Sequence, residues 1–207
     1  MSIISKIAFY RGIRDEVPNQ ELARELAETK NAAGVQEIAE NLTDKNSNVR
    51  SDCIKVLYET GYIAPELIAP HVNEFLKLLV SKQNRLVWGG MIALSTIASL
   101  KPAELYEQRD LICKTIDQGS VITMDAGIKS LARVAASDPQ FRDTLNPYLM
   151  EFLRKCRLSD VPRHGEVISE CVDDTNKQEF VSILQQRLPE MSASQSARVK
   201  KLLKKID

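Results

Sequence analysis

Residues capable of chemistry are sparse in this chain, and their spacing does not assemble a reaction. The two histidines, His71 and His164, stand far apart, whereas a shared metal ion or a proton relay needs its ligands or partners in mutual contact. The four cysteines, Cys53, Cys113, Cys156 and Cys171, contain no C-x-x-C pair, so neither a zinc site nor a small disulfide framework is indicated. Buried, structural thiols are the expectation. There is no glycine-rich phosphate loop, no G-x-S-x-G and no H-E-x-x-H, and Asp173-Asp174 reads as a polar turn rather than a paired acid and base. The sequence points to no catalytic residue, no metal and no cofactor.

Bulk properties narrow the class further. Twenty-eight basic residues balance twenty-eight acidic ones, so no overall field draws in a polyanion, and nucleic acid is not the expected partner. No apolar run approaches the roughly 18–20 residues that cross a bilayer. The first residues lack the charged-then-apolar pattern of a secretory leader. A soluble, cytoplasmic protein is the expectation.

The elements that position these residues emerge when the chain is aligned with itself. A shift of 37 residues superposes Pro65, Pro102 and Pro139, each at the start of a helical segment, where the missing N–H of proline costs nothing. The same shift superposes Leu57, Leu94 and Leu131; Ile54, Met91 and Ile128; and the small residues Gly61, Ala98 and Ala135. In the other helix of the unit it aligns Ile38, Phe75, Ile112 and Leu149 and, one turn later, Leu42, Leu79, Ile116 and Leu153. The i, i+4 recurrence marks a buried stripe on each helix. Neither helix can bury that stripe except against its neighbours, so the units must stack. The predicted pairs are 35–43 with 48–61, 65–80 with 85–100, 102–117 with 121–137, 139–156 with 160–173, and 175–188 with 192–206. Pro70 and Pro147 fall inside first helices, where an interior proline is expected to kink or split them.

Leu42-x-Asp44, Val49-Arg50 and Cys53-x3-Leu57 resemble the HEAT repeat, and the chain is similar over residues 35 to about 173 to the HEAT/armadillo class of helical repeats. That class implies a right-handed α-α superhelix of about five helical hairpins, a curved scaffold whose second helices line a concave binding face. Residues 1–207 then form a single all-α domain, with 1–34 as an N-terminal cap or arm, 35–173 as repeats and 174–207 as a capping hairpin. The acidic-to-arginine ladder of HEAT repeats is not continued. Val87 and Met124 stand at the positions matching Arg50, and Ser81 and Gln118 at those matching Asp44. The period is also shorter than the roughly 40–47 residues of HEAT and armadillo units.

On each second helix the side opposite the buried stripe should face the concavity. It carries Ser51, Lys55, Tyr58 and Tyr62, then Trp88, Ile92, Ser95 and Ser99, then Asp125, Lys129, Ala132 and Ala136. Tyr58, Tyr62, Trp88 and Ile92 form an apolar patch that the repeat itself does not require, with Lys55, Asp125 and Lys129 alongside. Tyr and Trp anchor protein interfaces, and a groove between parallel ridges suits a peptide or helix. The expected function is a non-catalytic scaffold that binds a protein or peptide on this face. The alternative implied by the class is a DNA-binding enzyme of the alkylated-base glycosylase type, for which Trp88 and Asp125 occupy equivalent positions but basic residues are lacking. Two further clusters, Phe9, Tyr10, Arg11 and Arg14 and the lysine-rich 198–206, are expected to serve as caps; the alternatives are a phosphate or carboxylate site for the first and a membrane surface or acidic partner for the second.

Overall fold

A computed structural model describes residues 2–206, and among these there is helix and no strand. The chain divides into two compact units, Met1–Gly127 and Ile128–Asp207, with the boundary inside one helix.

The first unit begins with a 3₁₀ turn (Ile3–Lys6) and α1 (Val17–Glu28), followed by α2 (Ala32–Glu40) and α3 (Ser47–Ile63). The caps are those the sequence supplies. Asn31 accepts from the Gly34 N–H at 2.8 Å to open α2, and Asn46 accepts from the Asn48 N–H at 2.9 Å to open α3. The next first helix is broken into α4 (Pro65–Ile68), a 3₁₀ turn (Ala69–His71) and α5 (Val72–Leu78), as expected from Pro70, and it leads into α6 (Asn84–Ile97). The third is broken into α7 (Pro102–Glu107) and α8 (Arg109–Gln118). That break carries no proline. It falls at Gln108, one repeat beyond His71, so these two units share the bend and Pro70 merely suits it.

α3 packs between α1 and α6, and α6 also packs on α5. The residues aligned by the 37-residue shift are its core: Leu57, Leu94, Ile54, Met91, Ile38, Phe75, Ile112 and Ile116 are fully buried. Gly61 admits close packing, since a Cβ there would stand 2.4 Å from Thr96 Oγ1 and 2.6 Å from Ile68 Cδ1.

α9 (Val121–Ser137) carries the chain into the second unit, which continues with α10 (Pro139–Lys155), α11 (Val161–Ile168), α12 (Lys177–Arg187) and α13 (Ala193–Ile206). Pro147 does not split α10, contrary to the sequence expectation. Pro147 and Asp143 both lie on the exposed side, where water can take the carbonyl that the missing N–H leaves unpaired. α10 packs on α11 and α12, and α13 packs on α11 and α12. Leu131, Leu149, Leu153 and Ile168 are fully buried there, and Val199 and Leu202 of α13 cover the end of the core. Arg187 closes the C-terminus of α10, donating to the carbonyls of Leu153 at 3.1 Å, Arg154, and Cys156 at 2.7 Å.

Candidate functional site: an aromatic face on α3 and α6

Three rings gather on neighbouring second helices of the first unit. The Tyr58 ring lies 6.1 Å from Tyr62, edge to face, and 6.0 Å from Trp88 at a tilt of 55°. These are spacings at which aromatic quadrupoles attract. Tyr58 thus joins its own helix to α6. Each ring that spans the joint also carries a cation, with Lys55 Nζ 5.0 Å from the Tyr58 centroid and the Arg85 guanidinium carbon 5.8 Å from that of Trp88. Both cations lie three residues before their ring, a helical spacing that stacks them on one face.

Sequence reasoning placed Lys55, Tyr58, Tyr62, Trp88 and Ile92 on an open surface, and burial corrects that in part. Tyr62 is 55% exposed and Trp88 half-buried, but Tyr58 is only 5% exposed, Ile92 9% and Lys55 6%. The reason is packing from both sides. α3 is flanked by α1 and α6 along its middle turns, and its last turn, where Tyr62 sits, is left open.

Charge is neutralised locally by residues that the repeat pattern did not single out. Lys55 Nζ lies 2.9 Å from Glu16 Oε2 and 2.7 Å from Glu59 Oε1, and Arg85 Nη2 pairs with Glu16 Oε1. Burial alone lowers the affinity of Lys55 for its proton, but the hydrogen bonds to Glu16 and Glu59 outweigh it and hold the ammonium well above its usual range. The hydrogen bond from Lys55 in turn lowers the pKa of Glu16 against the opposing effect of burial, with the Lys55 and Arg85 charges adding to it. Glu59 was legible as the i+4 partner of Lys55, and Arg85 as the i−3 partner of Trp88. Glu16 was not, because it lies far from both in the chain and outside the repeat.

The remaining expected residues are dispersed. Asp125 is half-buried on the first part of α9. Lys129 belongs to the second unit, where burial and then the charge of Arg133 lower its pKa while Glu170 opposes them. Arg133 itself pairs with Glu170 at 3.5 Å. Arg50, which lacks its ladder partner in sequence, donates to the Asp44 carbonyl at 2.6 Å and reaches Gln83 Oε1 at 3.0 Å, while Gln83 Nε2 donates to Ser51 Oγ at 2.7 Å. A glutamine one unit on therefore takes the place of the aspartate in tying α3 to the next turn.

The cysteines and His164 are wholly or partly buried. Burial raises all four thiols, Cys113 and Cys156 to about 11 and Cys171 to about 12, so none is a thiolate nucleophile at neutral pH. His164 is buried with its ring 5.0 Å from Phe152, edge to face, and burial together with the Arg163 charge lowers its pKa to about 4. Among the described residues no cluster of His, Cys, Asp and Glu is arranged to hold a metal ion, and no helix is long and apolar enough to cross a membrane.

The sequence matches no protein family and no curated protein. Solved structures do match over nearly the whole chain. A designed armadillo repeat protein in complex with the peptide (KR)4 superposes with a TM-score of 0.71 at 15% identity, covering 91% of this chain and 87% of its own. The chain has an armadillo-like helical-repeat fold. Computationally designed armadillo repeat proteins for modular peptide recognition match with a TM-score of 0.68 at 14% identity, covering 98% of this chain and 97% of theirs. An engineered protein matches with a TM-score of 0.68 at 18% identity, covering 100% of this chain and 97% of its own. The broken first helices α4/α5 and α7/α8 suit the three-helix variety of such units.

Proposed function

We propose that this chain is a non-catalytic scaffold that binds a peptide or helix on the second-helix face of its first unit. The exposed Tyr62 and the half-buried Trp88 are the anchors, and Tyr58 and Ile92 are the floor beneath them. The observation that carries this reading is the continuous ring contact Tyr62–Tyr58–Trp88 across two helices, with one member 55% exposed although the fold needs no aromatic there. Such rings offer large contact area at little entropic cost and concentrate binding energy. The surroundings support it as well. With Lys55 and Arg85 answered by Glu16 and Glu59, a partner can desolvate the rings without stranding a charge. Peptide binding by two of the superposable designed armadillo proteins agrees with this use of the fold. Lys55 is assigned as a polar neighbour of the rings rather than an anchor, and Asp125 and Lys129 are not assigned to this face.

The test is panning of a random displayed peptide library against the full chain, with counter-selection on Tyr62→Ala. Peptides whose binding is lost on Tyr62→Ala and Trp88→Ala support the face. Peptides that bind the wild type and both variants equally, or a library that yields no peptide dependent on these rings, overturn it.

A further inference from the structure

A peptide-binding aromatic face does not by itself call for two cations from neighbouring second helices to converge on one carboxylate supplied by the N-terminal segment. That is the arrangement at its edge. Lys55 of α3 and Arg85 of α6 both hold the Glu16 carboxylate, and each lies over a ring of the face. Arg85 is not saturated by this. Its Nε is buried and has no hydrogen-bond partner, whereas a guanidinium fork is satisfied by a carboxylate that meets two N–H groups side by side.

Space and charge both bear on what can enter. A cleft of about 680 Å³ opens beside Glu16 and Arg85, lined also by Arg14, Asp15, Asn48 and Ser51. Its other acids are already engaged. Asp52 accepts from the Phe9 N–H at 2.8 Å and the Asn19 amide at 2.9 Å, and Asp15 accepts from the Val17 N–H at 2.9 Å. Around the pair stand the cations Lys55, Arg85 and Arg14 and the anions Glu16, Glu59, Asp15 and Asp52. A second carboxylate added to this set meets an excess of negative charge. One that replaces Glu16 leaves the charge unchanged and can meet both Nε and Nη of Arg85. Exchange, not addition, is the electrostatically neutral route.

We propose that Lys55 and Arg85 form a carboxylate subsite at the edge of the aromatic face, filled in the free protein by Glu16 and taken over by an Asp or Glu side chain of the bound peptide. The subsite rests on the peptide-face reading for its ligand and deepens it. The partner carries an acidic residue next to its apolar anchor, and Glu16 is a tethered competitor that keeps the subsite occupied until such a residue arrives.

Propionate, the side-chain fragment of glutamate, probes the subsite without any peptide. It is titrated at constant ionic strength into the full-length Glu16→Ala protein, and the emission of Trp88, the only tryptophan and the ring beneath Arg85, is followed. The expected result is a saturable change that propanamide does not produce and that disappears when Arg85→Gln is added. The wild type should need at least about ten-fold more propionate, because a tethered carboxylate competes at high effective concentration. If Glu16→Ala does not melt cooperatively, Glu16→Gln, which keeps the side-chain volume, is used instead. A folded variant in which propionate acts no differently from propanamide overturns the proposal. Since no peptide takes part, that outcome sinks the subsite and leaves the aromatic face standing. Peptides indifferent to Tyr62 sink the face alone.

Discussion

Replacing Tyr62 by alanine separates binding from folding more cleanly than any other change at the face. The side chain is 55% exposed, and its recorded ring partner is Tyr58, at 6.1 Å. Losing an edge-to-face pair costs about 0.5–1.5 kcal/mol, while alanine in place of tyrosine within α3 returns about 0.5 kcal/mol of helix propensity. The net change in folding stability should stay within about 1 kcal/mol. An anchoring ring, in contrast, is worth about 2 kcal/mol or more in binding, a loss of roughly 30-fold in affinity. Denaturant unfolding gives the first quantity, and titration of a panned peptide by calorimetry gives the second. A loss of stability of several kcal/mol would make Tyr62 a packing residue, and unchanged affinity would remove it from the site. Either result refutes the reasoning.

Other expectations follow from the same structure. Gly61→Ala gains up to about 1 kcal/mol of helix propensity but drives a methyl group to 2.4 Å from Thr96 Oγ1. Overpacking of about 1–3 kcal/mol should therefore win and lower the urea midpoint. His164 has its pKa lowered from 6.5 to about 4 in the folded chain, so between those values the unfolded state binds more protons. Its contribution is fully present above pH 6.5 and is lost as pH falls toward 4, by up to about 3 kcal/mol, and the acid slope of unfolding should be shallower in His164→Asn than in the wild type. Duplex DNA at low salt should show no saturable, salt-dependent binding at the aromatic face, because Lys55 and Arg85 are answered by Glu16 and Glu59. A steep salt dependence that vanished in Lys55→Gln would revive the DNA-binding alternative.

Much of the fold was legible because the buried positions repeat. Ile54, Leu57, Phe75, Met91, Leu94, Ile112 and Leu131 were predicted from a single shift and are fully buried. Pro65, Pro102 and Pro139 do open α4, α7 and α10. Local chemistry marks such features, and it also marked Pro70. It did not mark the break at Gln108, which no residue type announces, nor the continuity of α10 through Pro147, which depends on which side faces water. At the site the helical spacing put Lys55, Tyr58, Tyr62 and Trp88 together, and the ring and cation contacts join them. The burial of Lys55 and Tyr58 was misjudged because α1 packs on α3 and Glu16 reaches Lys55 from outside the repeat. A 37-residue period carries no information about a segment that does not share it.

The central claim concerns Trp88, and its emission tests that claim most directly. A panned peptide is titrated into the full chain while Trp88 fluorescence and its quenching by acrylamide are recorded, with calorimetry fixing the extent of binding independently. The expected result is a saturable emission change at one peptide per chain, with quenching reduced in the complex as the ring loses contact with water. Binding that reaches saturation by calorimetry while Trp88 emission and quenching stay as in the free protein would place the binding surface elsewhere.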